Sequence, residues 1–376
     1  MNEKEVAEIR RRFRPEKSNI THVRGCFVNE KREMVSQFNQ SLQLSSQEET
    51  ESILSVLKRT LSGGLGKNLI DIAFDTQQVV DSPEHRLLMS VRNSGLEDEQ
   101  AVQALFDKII QSLSLEGNYV ILLTHDRYDV PYRSKDDQTQ ADASSEVFSY
   151  ILCSICPLKI TKPALSYHIT EKQFCNCKPQ WVVAPPELGF LFPAFDDRAA
   201  NIYGALYYTR STEQNHQELA DAVLHCQLPM PAAQQKDTFH TILEDSLGED
   251  CSYEVLQGLH DQLCGMVEEH KAKKEQAPLA ISKQEVKTVL KACNVPEKSV
   301  AAFEQQYDAQ FGPETDLAPG NIIDPRRFQV QLPDVSIQLN PQRSDLLQIR
   351  IVDGVKYILI RADEGVEVNG VGIHIP

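Results

Sequence analysis

Two apolar runs flanking one polar stretch constrain this chain more than any other feature. NYVILLTHDRYDV starts at Asn118, and EVFSYILCSICP starts at Glu146. Both are rich in β-branched and aromatic residues, which suit a pleated, buried surface. They are expected to be neighbouring strands at the centre of a sheet. The stretch between them, PYRSKDDQTQADASS, has almost no apolar side chains. Burying it would strand backbone and charge without partners, so it reads as an exposed loop. It is longer than an ordinary hairpin connection.

The remaining periodicities give an α+β chain: a mixed sheet with flanking helices, an acidic helical region and a small C-terminal β unit. Ser46 followed by Glu49 is a capping box and opens a helix. SGGLGKN at 62–68 resembles a phosphate loop only superficially. Its Gly66-Lys67 is followed by Asn68, and it leaves a helix to enter a strand, the reverse of a P-loop. It reads as a helix stop and turn. Ile20–Val28 and Glu33–Phe38 suit a hairpin, and Leu165–Phe174 reads as one strand. The expected divisions are 1–210 for an α/β sheet domain, 211–312 for the helices and 321–376 for the β unit. Asp353-Gly354 marks a hairpin turn in the last of these.

Charge narrows the function classes. The chain carries a net −16 over 376 residues, which disfavours non-specific binding to nucleic acid or anionic lipid. The first residues lack the apolar core of a signal peptide. No run approaches the roughly 20 apolar residues of a membrane helix. A cytoplasmic protein with reduced thiols is expected. Within this acidic chain, Arg10, Arg11, Arg12 and Arg14 form a basic cluster. It is either an anion-binding patch or a solvated face that meets acidic surface of the same protein.

Two further groups could carry chemistry. Cys153 and Cys156 form C-x-x-C, and Cys175 and Cys177 form C-x-C. Four thiolates suit tetrahedral zinc. Against that, Cys153 and Cys156 lie in an apolar strand, where i and i+3 point to opposite faces, so buried thiols without a metal are the expectation. His125, Asp126, Asp129 and Arg133 leave the end of the first apolar run. Glu187, Asp196, Asp197 and Arg198 sit in a second irregular segment. If the two segments meet, they offer a cation or general acid/base site. No cofactor motif is present.

Four long blocks resemble one family: RRRFRPEKSNITHVRGCFVNEKREMVSQFNQSL, LSGGLGKNLIDIAFDTQQVVDS, DVPYRSKDDQTQADASSEVFSYILCSICP and VDGVKYILIRADEGVEVNGVGIHI. It is an uncharacterised bacterial domain-of-unknown-function family common in anaerobic Firmicutes. The resemblance implies a bacterial, cytoplasmic protein and brings no activity, cofactor or catalytic residue. The reading that follows is a non-enzymatic interaction or regulatory protein whose partner is another protein. One alternative is a hydrolase using carboxylates of the 125–137 and 187–198 segments. The other is a nucleic-acid-associated protein using the N-terminal arginines, which the net charge argues against.

Overall fold

The computed structural model describes residues 1–133, 139–273, 275, 277–363, 365–368 and 370–374, with the backbone alone at 132, 133, 139–145 and 168. It is an α+β structure. Internal contacts divide it into two units, 1–231 with 276–278, and 232–275 with 279–376.

The first unit contains α1 (Glu3–Arg10), β1 (His22–Val28), β2 (Met34–Ser41), α2 (Gln47–Arg59), β3 (Leu69–Ala73), α3 (Thr76–Asp81), α4 (Pro83–Asn93) and α5 (Glu99–Ser112). These are followed by β4 (Tyr119–Arg133), β5 (Thr139–Ile160), β6 (Ala164–His168), β7 (Gln173–Cys177), β8 (Trp181–Val183), β9 (Leu188–Phe192), β10 (Ala194–Asp196), β11 (Ala199–Asn201), β12 (Gly204–Thr209) and α6 (Gln217–Val223). The main sheet runs β2-β1-β4-β5-β9-β12-β3, with β8 also on β5. β4 and β5 thus pair at its middle, antiparallel, with Leu123 opposite Cys153.

Strand alternation gives this sheet two cores. Ile121, Leu123, Ile151, Cys153, Phe190 and Tyr207 face one side, where α4, α5 and α6 add Leu88, Val91, Phe106, Ile109 and Leu219. Val120, Leu122, Phe148, Tyr150, Leu152 and Leu206 face the other, under α1 and α2 with Val6, Ile9, Leu54 and Leu57. Each fully buried aliphatic or aromatic side chain contributes about 2 kcal/mol relative to exposure. The helices are started locally. Asn2 accepts from the Lys4 and Glu5 amides of α1, and Ser46 accepts from the Glu49 amide at 3.2 Å. Each is half of a capping box. Gly189 in β9 is a close approach, since a Cβ there would lie 2.3 Å from the Cys153 carbonyl oxygen and 2.4 Å from Thr60 Cγ2.

Three sequence expectations are corrected. The stretch 131–145 is largely not a loop: the β4–β5 ladder continues through it, pairing Pro131 with Ser144 and Arg133 with Thr139. A polar sequence can still form a strand, because the ladder is made by main-chain groups. Residues 134–138 and the expected exposure of this stretch lie outside the described residues. Leu165–Phe174 is not one strand but most of a hairpin, β6–β7, in which Lys172 takes a left-handed φ of 54°. The segment 211–231 also belongs with the sheet unit, because Leu219, Ala220 and Val223 of α6 complete its first core.

The second unit holds α7 (Ala232–Leu247), α8 (Tyr253–Lys273), α9 (Lys283–Ala292), α10 (Glu297–Gln310) and α11 (Pro319–Ile322) around Phe239, Leu259, Leu263, Leu290, Phe303 and Tyr307. Lys283 to Asp308 at 2.5 Å and Lys287 to Glu304 at 2.6 Å tie α9 to α10. Three separate hairpins follow: β13 (Phe328–Gln331) with β14 (Ser336–Leu339), β15 (Leu347–Val352) with β16 (Val355–Ile360), and β17 (Val366–Val368) with β18 (Val371–Ile373). The turn at Asp353-Gly354 has φ values of 51° and 79°, as a two-residue hairpin turn of this type requires.

Candidate functional site

The alternation that builds two cores also separates His125 from Asp126. His125 continues the side of Ile121 and Leu123, and Asp126 continues the side of Val120 and Leu122. The two side chains therefore belong to different surroundings, and no Ser–His–Asp arrangement joins them.

On the Asp126 side, charges are brought together beneath α1. Asp126 is buried and its Oδ2 accepts from Tyr150 Oη at 2.9 Å and from Arg12 Nε at 3.4 Å. The Arg12 guanidinium lies 4.8 Å from the centre of the Tyr128 ring. Tyr128 donates to Glu8 Oε1 at 2.7 Å, and Arg198 donates to Glu8 Oε2 at 2.6 Å. Arg198 also donates to the Pro131 carbonyl at 2.9 Å. Burial and then the Asp126 carboxylate push the Tyr150 hydroxyl well above its usual pKa, and burial followed by Glu8 pushes Tyr128 up to about 12. Arg198 reaches this position because Asp197 and Arg198 form the left-handed two-residue turn between β10 and β11, with φ of 49° and 62°. The two irregular segments singled out in the sequence thus do meet, through Arg198, Glu8 and Tyr128.

Beside this network Glu5, Asp196 and Asp197 place carboxylate oxygens within 4.8 Å of one another, the one such group of three ligand-type side chains among the described residues. Burial is the largest influence on Glu5 and raises its pKa, and the Asp196 charge acts in the same direction. Asp71 is raised by burial as well, against the Met1 ammonium 3.2 Å away.

On the other side, His125 Nε2 is hydrogen-bonded to Ser149 Oγ at 2.8 Å. Burial lowers its pKa more than the Asp126 charge raises it. His125 lines a polar cleft of about 390 Å³ with Thr21, His22, Arg24, Gly95, Glu97 and Glu99. Arg24 is not free there, because it donates to the Leu96 carbonyl and to Glu99. In the second unit, an open polar cleft of about 850 Å³ includes Asp261, Glu268, Arg326, Gln342 and Ser344.

The other sequence candidates are dispersed. Asp129 is exposed on the strand side opposite Asp126. Glu187 precedes β9 and pairs with Arg210 at 3.8 Å, at the other end of that strand from Asp196. The Arg133 side chain lies outside the described residues. The four cysteines are not gathered. Cys153 sits in the first core and Cys156 in the second, while Cys175 and Cys177 stand on β7. Burial pushes the Cys156 thiol up to about 12 and Cys153 higher than its usual value. Of the arginines, Arg10 donates to the carbonyls of Leu61 and Gly63 and Arg12 engages Asp126, leaving Arg11 and Arg14 exposed.

Sequence reasoning missed Glu5, Glu8, Tyr128 and Tyr150. Glu5, Glu8 and Arg12 recur at helical spacing beside the buried stripe of Val6, Ile9 and Phe13, and that spacing was the one signal available. Among the described residues no helix is long and apolar enough to cross a membrane. No curated protein matches the chain. A family model described as a domain of unknown function, DUF4317, matches residues 1–371. The chain, whose buried charge network and two-sided sheet both fall within that span, therefore belongs to the DUF4317 family.

Proposed function

We propose that this chain is a non-enzymatic cytoplasmic protein of bacteria that works by binding other proteins on its peripheral two-stranded hairpins. One observation carries the reading. Most of the large apolar side chains left exposed fall on two stretches, around β6–β8 and along β13–β18. β15–β16 exposes Ile349, Ile351 and Val352 on one strand and Val355, Tyr357, Leu359 and Ile360 on the other. By register Ile349, Ile351 and Ile360 share one face of this hairpin and Val352, Val355, Tyr357 and Leu359 the other. A two-stranded hairpin is marginal alone, and apolar side chains exposed in this way support a docking role. The charged residues argue in the same direction. Asp126, Glu8, Arg12 and Arg198 are engaged with one another in partly or fully buried contacts, so their charges serve to hold α1 rather than to face a substrate.

The test is a photo-crosslinking residue placed at Phe174 or at Tyr357 in the full chain, expressed in its host. Crosslinking to one defined protein is expected, with rebinding of the purified pair weakened by Tyr357→Ser or Phe174→Ser. Absence of adducts from both positions, or turnover of a substrate that depends on Asp126, would overturn the proposal.

A further inference from the structure

Residues 158–183 form one ribbon. Leu158, Lys159 and Ile160 pair with Val183, Val182 and Trp181, and the same register resumes with Ala164 opposite Cys177 and Tyr167 opposite Phe174. Across the gap, the Thr161 amide donates to the Gln180 carbonyl at 2.9 Å. Alternation along β6 and β7 gives the end of this ribbon two unlike faces. One carries Ser166, Cys175 and Cys177. The other carries Leu165, Tyr167 and Phe174, which are 67%, 52% and 69% exposed. The Tyr167 and Phe174 rings sit 5.2 Å apart on that face, and Ile169 in the turn is 82% exposed. β6 and β7 pair only with each other, so both outer edges keep unpaired backbone groups among the described residues. Four lysines punctuate the ribbon, Lys159, Lys162, Lys172 and Lys178, against one acid, Glu171. No ion pair among the described residues involves any of the four.

We infer that the β6–β7 end of this ribbon binds an extended acidic segment of another protein, added as a further strand. The inference rests on the proposed binding function and names its ligand. An added strand satisfies an open edge through main-chain hydrogen bonds, and every second side chain lies over the apolar face. Apolar residues at alternate positions would cover Leu165, Tyr167 and Phe174. Carboxylates between or beside them would meet the unpaired lysines. The net −16 does not forbid this, since charges more than about 8 Å away are largely screened at physiological salt. Leu165 and Ile169 favour a protein over single-stranded nucleic acid, which stacks on aromatic rings and gains little from aliphatic side chains.

The probe is a short dansyl-labelled peptide alternating Val and Glu, added to the full chain. Trp181, the single tryptophan and part of the same ribbon, is the energy-transfer donor. Saturable transfer is expected, with affinity at least about tenfold above that of the Val/Lys counterpart. The paired change Tyr167→Ser with Phe174→Ser should remove it while leaving the thermal melt unchanged, as both side chains are on the surface. Lys172→Glu with Lys178→Glu should reverse the preference between the peptides. Equal binding of both peptides, wild-type binding by the serine variant, or transfer to labelled oligo(dT) or anionic vesicles in place of the acidic peptide would overturn the inference. So would concentration-dependent dimerisation that the serine variant abolishes, because a second copy would then be the occupant. If the peptide fails while a crosslinker at Phe174 still captures a defined protein, only the acidic-strand assignment falls. If the crosslinker is silent at both positions too, the binding function falls with it.

Discussion

Arg12 and Asp126 are 114 positions apart and meet at 3.4 Å, yet each keeps one buried polar atom, Nη2 and Oδ1, without a hydrogen-bond partner among the described residues. A buried ion pair with unsatisfied atoms is a poor source of net stability, but removing one half leaves a bare charge. Asp126→Leu or Arg12→Met alone should cost about 3 kcal/mol. Combining Arg12→Met with Asp126→Leu should lose less than the sum, because both charges leave together. Urea denaturation of the four proteins of this cycle measures the coupling; simple additivity would show that the contact is not formed in solution.

His125 should make stability depend on pH just below neutrality. Burial lowers its folded pKa beneath the usual 6.5, so the unfolded chain takes up the proton first. The stabilisation is present above 6.5 and is lost as pH falls from there towards the folded pKa. Compared with His125→Gln, the wild type should therefore lose more stability on going from pH 7.5 to about pH 5.5. Parallel curves for the two proteins would contradict the buried, Ser149-bonded position.

Glu5 should behave in the opposite sense. Its folded pKa is raised above 4.5, first by burial. The folded state thus holds the proton more tightly, and the resulting stabilisation, full below 4.5, disappears as pH rises through the folded pKa. Glu5→Gln is expected to raise the melting temperature at neutral pH, with the gain shrinking as pH approaches 4.5. A melting temperature that falls equally at both pH values would mean that the cap to the Asn2 amide outweighs the carboxylate repulsion.

Thiol reactivity should sort the nine cysteines by position. Cys177 is exposed and Cys175 partly so, whereas Cys26, Cys153 and Cys156 are buried, with Cys26 and Cys156 pushed up to about 12 by burial. A disulfide reagent should modify Cys177 and Cys175 in the fastest phase, which Cys177→Ser reduces, and reach the three strand thiols only on unfolding. Rapid loss of the Cys153 thiol in the folded protein would refute the two-core sheet.

Gly189→Ala should cost about 1–3 kcal/mol through overpacking, since the added methyl meets a backbone oxygen of β5 and a buried methyl of Thr60. Thermal melts against a surface Gly→Ala control measure it.

Local signals carried much of this fold. Ser46 and Glu49 announced α2, the apolar runs announced β4 and β5 side by side, and Cys153 and Cys156 were expected on opposite faces. α3 went unseen because its six residues bury none of their own side chains. The turn inside 165–174 went unseen because Lys172 occupies a left-handed position usually given to Gly or Asn. The charge network was half legible. Asp126, Asp196, Asp197, Arg12 and Arg198 stood out as charges in irregular or basic stretches. Their partner Glu8 looked like ordinary helix surface, since nothing local in EKEVAEIR encodes a contact 190 residues away.

β4 and β5 resemble a text read in twos. Each step of one residue changes which core receives the side chain, and both cores are full. Substitutions there alter single words, but deleting one residue between Tyr119 and His125 would shift the frame of all that follows. Asp126 would then take the place of His125 beside Ser149, and Arg127 would occupy the place beside Tyr150. Diversity in this family should accordingly enter the sheet by replacement or by paired insertions, and single-residue length changes should be confined to the hairpins.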